Sequence, residues 1–214
     1  MTAGASDQAR VIILSAPSGG GKSSLARALA DSSADVVTSV SHTTRAIRPG
    51  EVDGRDYFFV DDQTFKAMIA ADEFVEHAHV FGKRYGTSRA AIAESLAAGK
   101  SVVLDIDWQG AQQVRAAFND AVSVYILPPS LEDLAARLRA RGRETEEQVG
   151  ARLAEAASEM AHYEEYDHLM VNAEFDQALS ELKELVFKGK PPSSAAGFDV
   201  EALVQSAKNV RLKT

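Results

Sequence analysis

The sequence predicts an α/β protein: a parallel sheet core flanked by helices, with a small mixed α/β lobe inserted into it. Three observations predict this class. Largely apolar runs at 11–14, 101–106, 122–127 and 168–171 read as strands covered on both faces, as in a parallel sheet. Each is followed by apolar residues at helical spacing, and strand-helix alternation is what builds such a sheet. Between about residues 42 and 88 the rhythm breaks into short strands, a hairpin turn and one helix, the sign of an inserted lobe.

Taken in order, residues 1–9 are small and polar and read as a disordered leader, and 10–15 form the first strand. Leu25, Ala26, Ala28 and Leu29 mark the first helix, and 36–40 is a second β-like run that Ser41-His42-Thr43-Thr44-Arg45 interrupts. Pro49, Gly50 and Gly54 among charges give 48–55 loop composition. Residues 57–60 read as a strand, Asp61 or Asp62 caps a helix carrying Phe65, Met68 and Ile69, and 74–81 alternates as a strand before a Gly82-Lys83 turn. The core resumes with a helix over 88–98, closed by Gly99, and a strand over 101–106. A helix over 109–118 and a strand over 122–127 follow, stopped by Pro128-Pro129. Then come a helix over 131–140, an arginine-rich break at 141–143, a long helix over 145–163, a strand over 168–171 and a helix over 175–187. Residues 189–197 have linker composition, and Val200, Leu203, Val204 and Ala207 beyond them line one helix face. That last segment reads as a frayed tail, with docking onto a partner subunit as the alternative.

A length of 214 residues suits one α/β domain with an insertion. The net charge of −8 argues against duplex nucleic acid as the main ligand, so any phosphate must be held by a local group of cations. Cysteine is absent, which excludes disulfides, thiolate metal sites and a cysteine nucleophile. No apolar run has the length of a signal-peptide core or a membrane span. A cytoplasmic enzyme with small-molecule substrates is expected, its state as monomer or homo-oligomer open.

The chemistry concentrates at Ala16-Pro17-Ser18-Gly19-Gly20-Gly21-Lys22-Ser23, between the first strand and the first helix. A glycine-rich turn there aims backbone N–H groups at a phosphate beside the positive end of the helix dipole. Lys22 would reach the outer phosphates and Ser23 would offer its hydroxyl to Mg²⁺. Ala16 stands where glycine is usual, which is tolerable only if the backbone there does not need positive φ. Asp105 and Asp107, two apart where the buried strand ends, are expected to project to one side, Asp105 toward the metal. Arg45, Arg48, Tyr57 and Tyr85 are candidates for a second anion site. Glu76 shares a strand face with Phe74, Ala78 and Val80, odd company for a carboxylate without a donor. Guanine offers adjacent N–H donors that a carboxylate accepts as a pair, and its O6 suits Ser41 or Thr87; an arginine of the same lobe is the competing partner for Glu76. Arg137, Arg139, Arg141, Arg143 and Arg152 could close over phosphates, or could be a solvated face paired with Glu144, Glu146 and Glu147. His77 and His79 lack a third ligand and make a weak metal claim.

Residues 10–188 resemble bacterial guanylate kinases. The resemblance rests on APSGGGKSSL at 16–25, SVSHTTRAIRPGEVDGRDYFFV at 39–60, FVEHAHVFGKRYGTSR at 74–89, LDIDWQGAQQVR at 104–115, ILPPS at 126–130 and RLRARGRETEEQV at 137–149. It implies the P-loop nucleoside monophosphate kinase fold: a core over 10–41 and 89–188, a GMP-binding lobe over about 42–88 and a helical lid over about 137–152, with 189–214 outside it. It implies ATP-dependent phosphorylation of GMP and dGMP, with Mg²⁺. ATP falls to residues 16–23, guanine to Ser41, Glu76 and Thr87, the GMP phosphate to Arg45, Arg48, Tyr57 and Tyr85, and Asp107 to the acceptor side as well. Lys22, Arg45, Arg137, Arg141 and Arg152 take catalytic roles, and Ser23 and Asp105 the metal. Ala16 is a common bacterial variant in that family, whereas Arg84 stands where many members have a second aromatic. Two rival readings are a kinase for another nucleoside monophosphate and a non-catalytic guanylate-kinase-like interaction module.

Overall fold

A computed structural model describes residues 9–80, 82–140 and 145–211. Elements in chain order are β1 (Val11–Ser15), α1 (Lys22–Asp31), β2 (Val36–Thr38), β3 (His42–Thr43), β4 (Phe58–Phe59), α2 (Asp62–Ala70), β5 (Phe74–Val80), β6 (Lys83–Ser88) and α3 (Arg89–Ala97). They continue with β7 (Ser101–Asp105), α4 (Trp108–Ala117), β8 (Val122–Leu127), α5 (Leu131–Ala140), α6 (Glu146–Met160), β9 (His168–Val171), α7 (Phe175–Lys188) and α8 (Val200–Arg211). One sheet has five strands in the order β2-β7-β1-β8-β9, and a second has four in the order β4-β3-β6-β5. The expected parallel core and inserted mixed lobe are both present.

The chain divides into two compact units. One comprises Leu14–Leu29 and the described residues from Ser123 onward; the other comprises residues 9–13 and Ala30–Val122.

In the first unit, β8 pairs in parallel with β9, from Val124 opposite His168 to Leu127 opposite Val171. Its buried side chains come from α1 (Leu25, Leu29), β8 (Tyr125, Ile126, Leu127), α5 (Leu134, Leu138) and α6 (Ala156, Ala157, Met160). α6 opens with a capping box, in which Thr145 accepts from the Gln148 N–H while the Gln148 side chain accepts from the Thr145 N–H. Among the described residues the tail is an ordered helix. Asp199 accepts from the Ala202 N–H, Ser194 ties the preceding segment to the Val171 N–H, and Val200, Leu203, Val204 and Ala207 are buried as α8 packs on α6. The apolar face that suggested a partner subunit is thus covered by the chain itself.

In the second unit, β2 pairs in parallel with β7. The four-stranded sheet is mixed: β3 runs parallel to β4 and antiparallel to β6, and β6 is antiparallel to β5. Residues 41–45, expected to interrupt the pattern, instead supply β3 at the sheet's interior, because the Phe58 and Val60 N–H groups donate to the Ser41 and Thr43 carbonyls. A ring cluster fills the lobe: Phe65 stacks on Phe74 at 4.7 Å and His42 on Phe58 at 4.8 Å. Gly86 is small because a Cβ there would lie 3.0 Å from both Phe65 and Phe74. Phe81, which the sequence placed at the end of β5, lies outside the described residues, as do residues 1–8 of the leader. No helix among the described residues is long and apolar enough to cross a membrane.

Candidate active site

The sequence-predicted residues fall into two groups, one in each unit. In the first unit, the loop from Ala16 to Gly21 leads into α1, which starts at Lys22 with no acidic residue in its first turn. Gly19 and Gly21 take φ of 94° and 95°, the left-handed region that glycine adopts without strain. Asp72 is the non-glycine residue with positive φ among those described, so Ala16 meets the condition its methyl group imposes; that methyl lies under Gly20, where a Cβ would come within 2.8 Å of it. The loop is braced by two of the candidate arginines together with Asn172 and Glu159, which have no counterpart in the sequence reading. Asn172, buried just beyond β9, donates through Nδ2 to the Gly20 carbonyl at 3.0 Å, and its own carbonyl accepts from Arg137 Nη2 at 2.7 Å. On α6, Glu159 accepts the Ser18 N–H at 2.9 Å while Arg152 Nη1 donates to the Ser18 hydroxyl at 2.6 Å. Seven residues apart, Arg152 and Glu159 share a helix face, so one helix holds Ser18 by its backbone and its side chain.

Of the lid arginines, Arg137 sits on α5 with Nη1 buried and without a partner among the described residues, and Arg152 reaches the loop. Arg139 instead pairs with Glu146 at 2.9 Å on the surface, the solvated outcome weighed for the run. Arg141, together with Arg143 and Glu144, lies outside the described residues.

In the second unit Glu76 is 3% exposed. The Thr87 hydroxyl donates to its Oε1 at 2.5 Å, and Ser41 Oγ lies 3.4 Å from Thr87 Oγ1, so the three proposed guanine contacts adjoin one another. The strand face expected for Glu76 needs one correction: a register shift between Phe74 and Glu76 breaks strict alternation, and Phe74, Val75 and Glu76 are all buried. Helix α4 closes over this carboxylate. Gln113 makes two hydrogen bonds to the backbone of His77, at 3.1 and 2.9 Å, and Gly110 lies so close that a Cβ would sit 2.6 Å from Glu76 Oε2.

Asp107 does not extend the strand alternation that was to put it beside Asp105. β7 ends at Asp105, and Asp107 turns to cap α4, accepting from the Gly110 N–H at 2.9 Å and from Gln109 Nε2 at 3.1 Å. The second anion group does assemble: the Arg45 guanidinium lies 5.2 Å from the Tyr57 ring centre, and the Tyr57 and Tyr85 rings meet edge to face at 6.0 Å. Arg48 is exposed beside them. Arg45 is also held by Glu51, at 2.8 and 3.0 Å, a partner the sequence did not suggest. Hydrogen bonds from Arg45 and from the Arg48 N–H outweigh burial and lower the Glu51 pKa, so the pair is ionised at neutral pH. Arg84 turns outward to Asp62 at 2.7 Å. His77 and His79 are exposed, and no cluster of three His, Cys, Asp or Glu ligands occurs among the described residues.

The guanylate kinase family model matches residues 8–189. Guanylate kinase of Escherichia coli strain K12 is 55% identical over 181 residues, covering 84% of this chain and 87% of its own. That of Chromohalobacter salexigens is 55% identical over 174 residues, covering 81% of each chain. The crystal structure of guanylate kinase from Anaplasma phagocytophilum superposes with a TM-score of 0.69 at 35% identity, covering 85% of this chain and 86% of that one. By family model, by identity across most of its length and by fold, the chain belongs to the guanylate kinase family.

Proposed function

We propose that this protein transfers a phosphoryl group reversibly from ATP to GMP, and to dGMP, in the cytoplasm, as a step of purine nucleotide metabolism and GMP recycling. The buried Glu76, backed by Thr87 and adjoining Ser41, carries the reading. A carboxylate in so dry a place favours a ligand that brings paired N–H donors, which guanine does. Adenine would set its N1 lone pair against the carboxylate, leaving two acceptors face to face.

Residues 16–23 hold the donor phosphates, Arg137, Arg141 and Arg152 neutralise the group in flight, and the lobe over about 42–88 holds the acceptor. Asp107, as the cap of α4, fixes the helix start that borders Glu76. The attacking atom is a GMP phosphate oxygen, already anionic, so no protein nucleophile is required and catalysis rests on in-line positioning and charge neutralisation. Ser23 and Asp105 would be the protein's oxygen donors to Mg²⁺, an ion that keeps several waters and takes its other ligands from substrate phosphates. When bound it supplies charge neutralisation between the donor phosphates.

Release of ADP measured with GMP, AMP, CMP and dTMP in turn, against a Lys22→Met blank, tests the reading. GMP is expected to be turned over fastest; faster turnover of any other acceptor, or near-normal turnover by the blank, overturns it.

A further inference from the structure

In the folded lobe part of the Arg45 guanidinium is already committed. Nη1 donates to Glu51 Oε2 at 3.0 Å and to the Ala46 carbonyl at 2.9 Å, and Nη2 donates to Glu51 Oε1 at 2.8 Å. A guanidinium has five N–H groups in one plane. These contacts occupy the end-on fork and the far side of Nη1, and the two N–H groups left over, Nε–H and the second on Nη2, lie side by side along the remaining edge. No described residue accepts from that edge. It has the geometry that takes two oxygens of a phosphate at once. The plane itself is fixed by the Tyr57 ring at 5.2 Å and the Phe59 ring at 5.6 Å. The same Glu51 carboxylate accepts the Arg48 N–H at 2.8 Å, and the Glu51 N–H returns to the Arg48 carbonyl at 3.1 Å, closing the turn that carries the second arginine.

We propose that Glu51 is a positioning residue for the acceptor phosphate: it takes one fork of Arg45 and leaves the other for the phosphate, and it holds the Arg48 turn beside it. This rests on the reading of Arg45 as a phosphate contact. Charge and geometry make opposite demands here. Coulomb's law alone says that a carboxylate next to an anion site weakens it, so that removing Glu51 should tighten GMP. Geometry says that Arg45 without Glu51 regains its rotamer freedom, which the phosphate must then remove on binding, and that the turn carrying Arg48 loosens. Glu51 and Arg45 are largely shielded, with side chains 20% and 11% exposed, so the ordering is built into the fold. Geometry decides the sign.

The test compares Glu51→Ala, Glu51→Gln, Arg45→Ala and the Glu51→Ala/Arg45→Ala double variant. Steady-state kinetics with GMP are measured together with competitive inhibition by guanosine, which lacks the phosphate. Glu51→Ala is expected to raise KM for GMP about tenfold or more, with a smaller fall in kcat and KM for ATP unchanged. Glu51→Gln, retaining one acceptor oxygen, falls between, the double variant matches Arg45→Ala, and guanosine inhibits all four as it does the parent. An unchanged or lower KM for GMP in Glu51→Ala overturns the proposal, as does a parallel loss of guanosine inhibition, which would mean general disruption of the lobe. If Arg45→Ala itself leaves KM for GMP unaltered, the phosphate role of Arg45 fails first and takes the proposal with it.

Discussion

Replacing Gly110 by Ala perturbs the Glu76 carboxylate proposed to read guanine. Gly110 is in the first turn of α4 and is not among the positive-φ residues, so backbone freedom is not why it is glycine. Space is the reason. A Cβ there would stand 2.6 Å from Glu76 Oε2, 3.1 Å from its Cδ and 3.3 Å from Ile106 Cβ. An ordinary carbon-oxygen contact requires more than half an ångström beyond that first distance, and the carboxylate must supply it by pivoting. Its other oxygen is fixed by Thr87 at 2.5 Å, so the pivot strains that hydrogen bond and tilts the pair of oxygens proposed to accept from guanine. Overpacking of this kind costs about 1–3 kcal/mol, so KM for GMP should rise roughly 5- to 150-fold. Alanine is meanwhile the better helix former by about 0.5–1 kcal/mol, which offsets part of the strain in the unliganded fold. Thermal melting in the absence of nucleotide should therefore fall by less than the overpacking cost alone implies, and KM for ATP should be unchanged. An unaltered KM for GMP would show that Glu76 does not meet the base, and an unfolded variant would show that α4 cannot take the shift.

Two further outcomes are expected. Gly21→Ala places a side chain at φ 95°, with its Cβ 2.4 Å from Asn172 Nδ2; a loss of about 2 kcal/mol or more, read as a melting temperature about 4–8 °C lower, should accompany a raised KM for ATP, and parent-like melting would contradict the brace drawn between Asn172 and the loop. The pKa of His42 is lowered by burial, against the opposing charges of Glu73 and Asp53, and its Nδ1 is buried without a partner among the described residues, so the unfolded chain binds the proton more readily. Stability should then fall as pH drops below about 6.5 and level off once the lowered value is passed, a loss that denaturant titrations should find absent in His42→Gln.

Much of the architecture was legible because it repeats. Helices α5 and strands β8 and β9 start and stop where apolar spacing and Pro128-Pro129 place them, since burial on two faces leaves a strong pattern. His42–Thr43 was missed as a strand because it is two residues long and owes its state to pairing with residues fifteen or more positions away, which no local window contains. The site divides in the same way. Residues proposed to meet a ligand announce themselves by type and spacing, as the glycines before Lys22 do. Residues that act on those residues do not: Glu51, Glu159 and Asn172 read as surface acid, helix acid and strand-end polar until their partners are known. Gly110 did carry a signal, since a lone glycine within a helical stretch commonly has a packing reason.

An acidic chain that handles two polyanions must resolve a conflict of charge, and the structure resolves it by local order. The first turn of α1 is free of acidic residues, whereas those of α2, α5, α6, α7 and α8 each carry at least one. The dipole of the helix that follows the glycine loop is therefore not answered by a carboxylate of its own first turn. Where carboxylates do come close to the proposed sites they accept from the groups that matter: Glu159 from the Ser18 N–H, Glu51 from Arg45 and Arg48, and Glu76 from Thr87. Each spends its negative charge on orienting a donor. Net charge then governs what the surface repels, and these short hydrogen bonds govern what the sites accept.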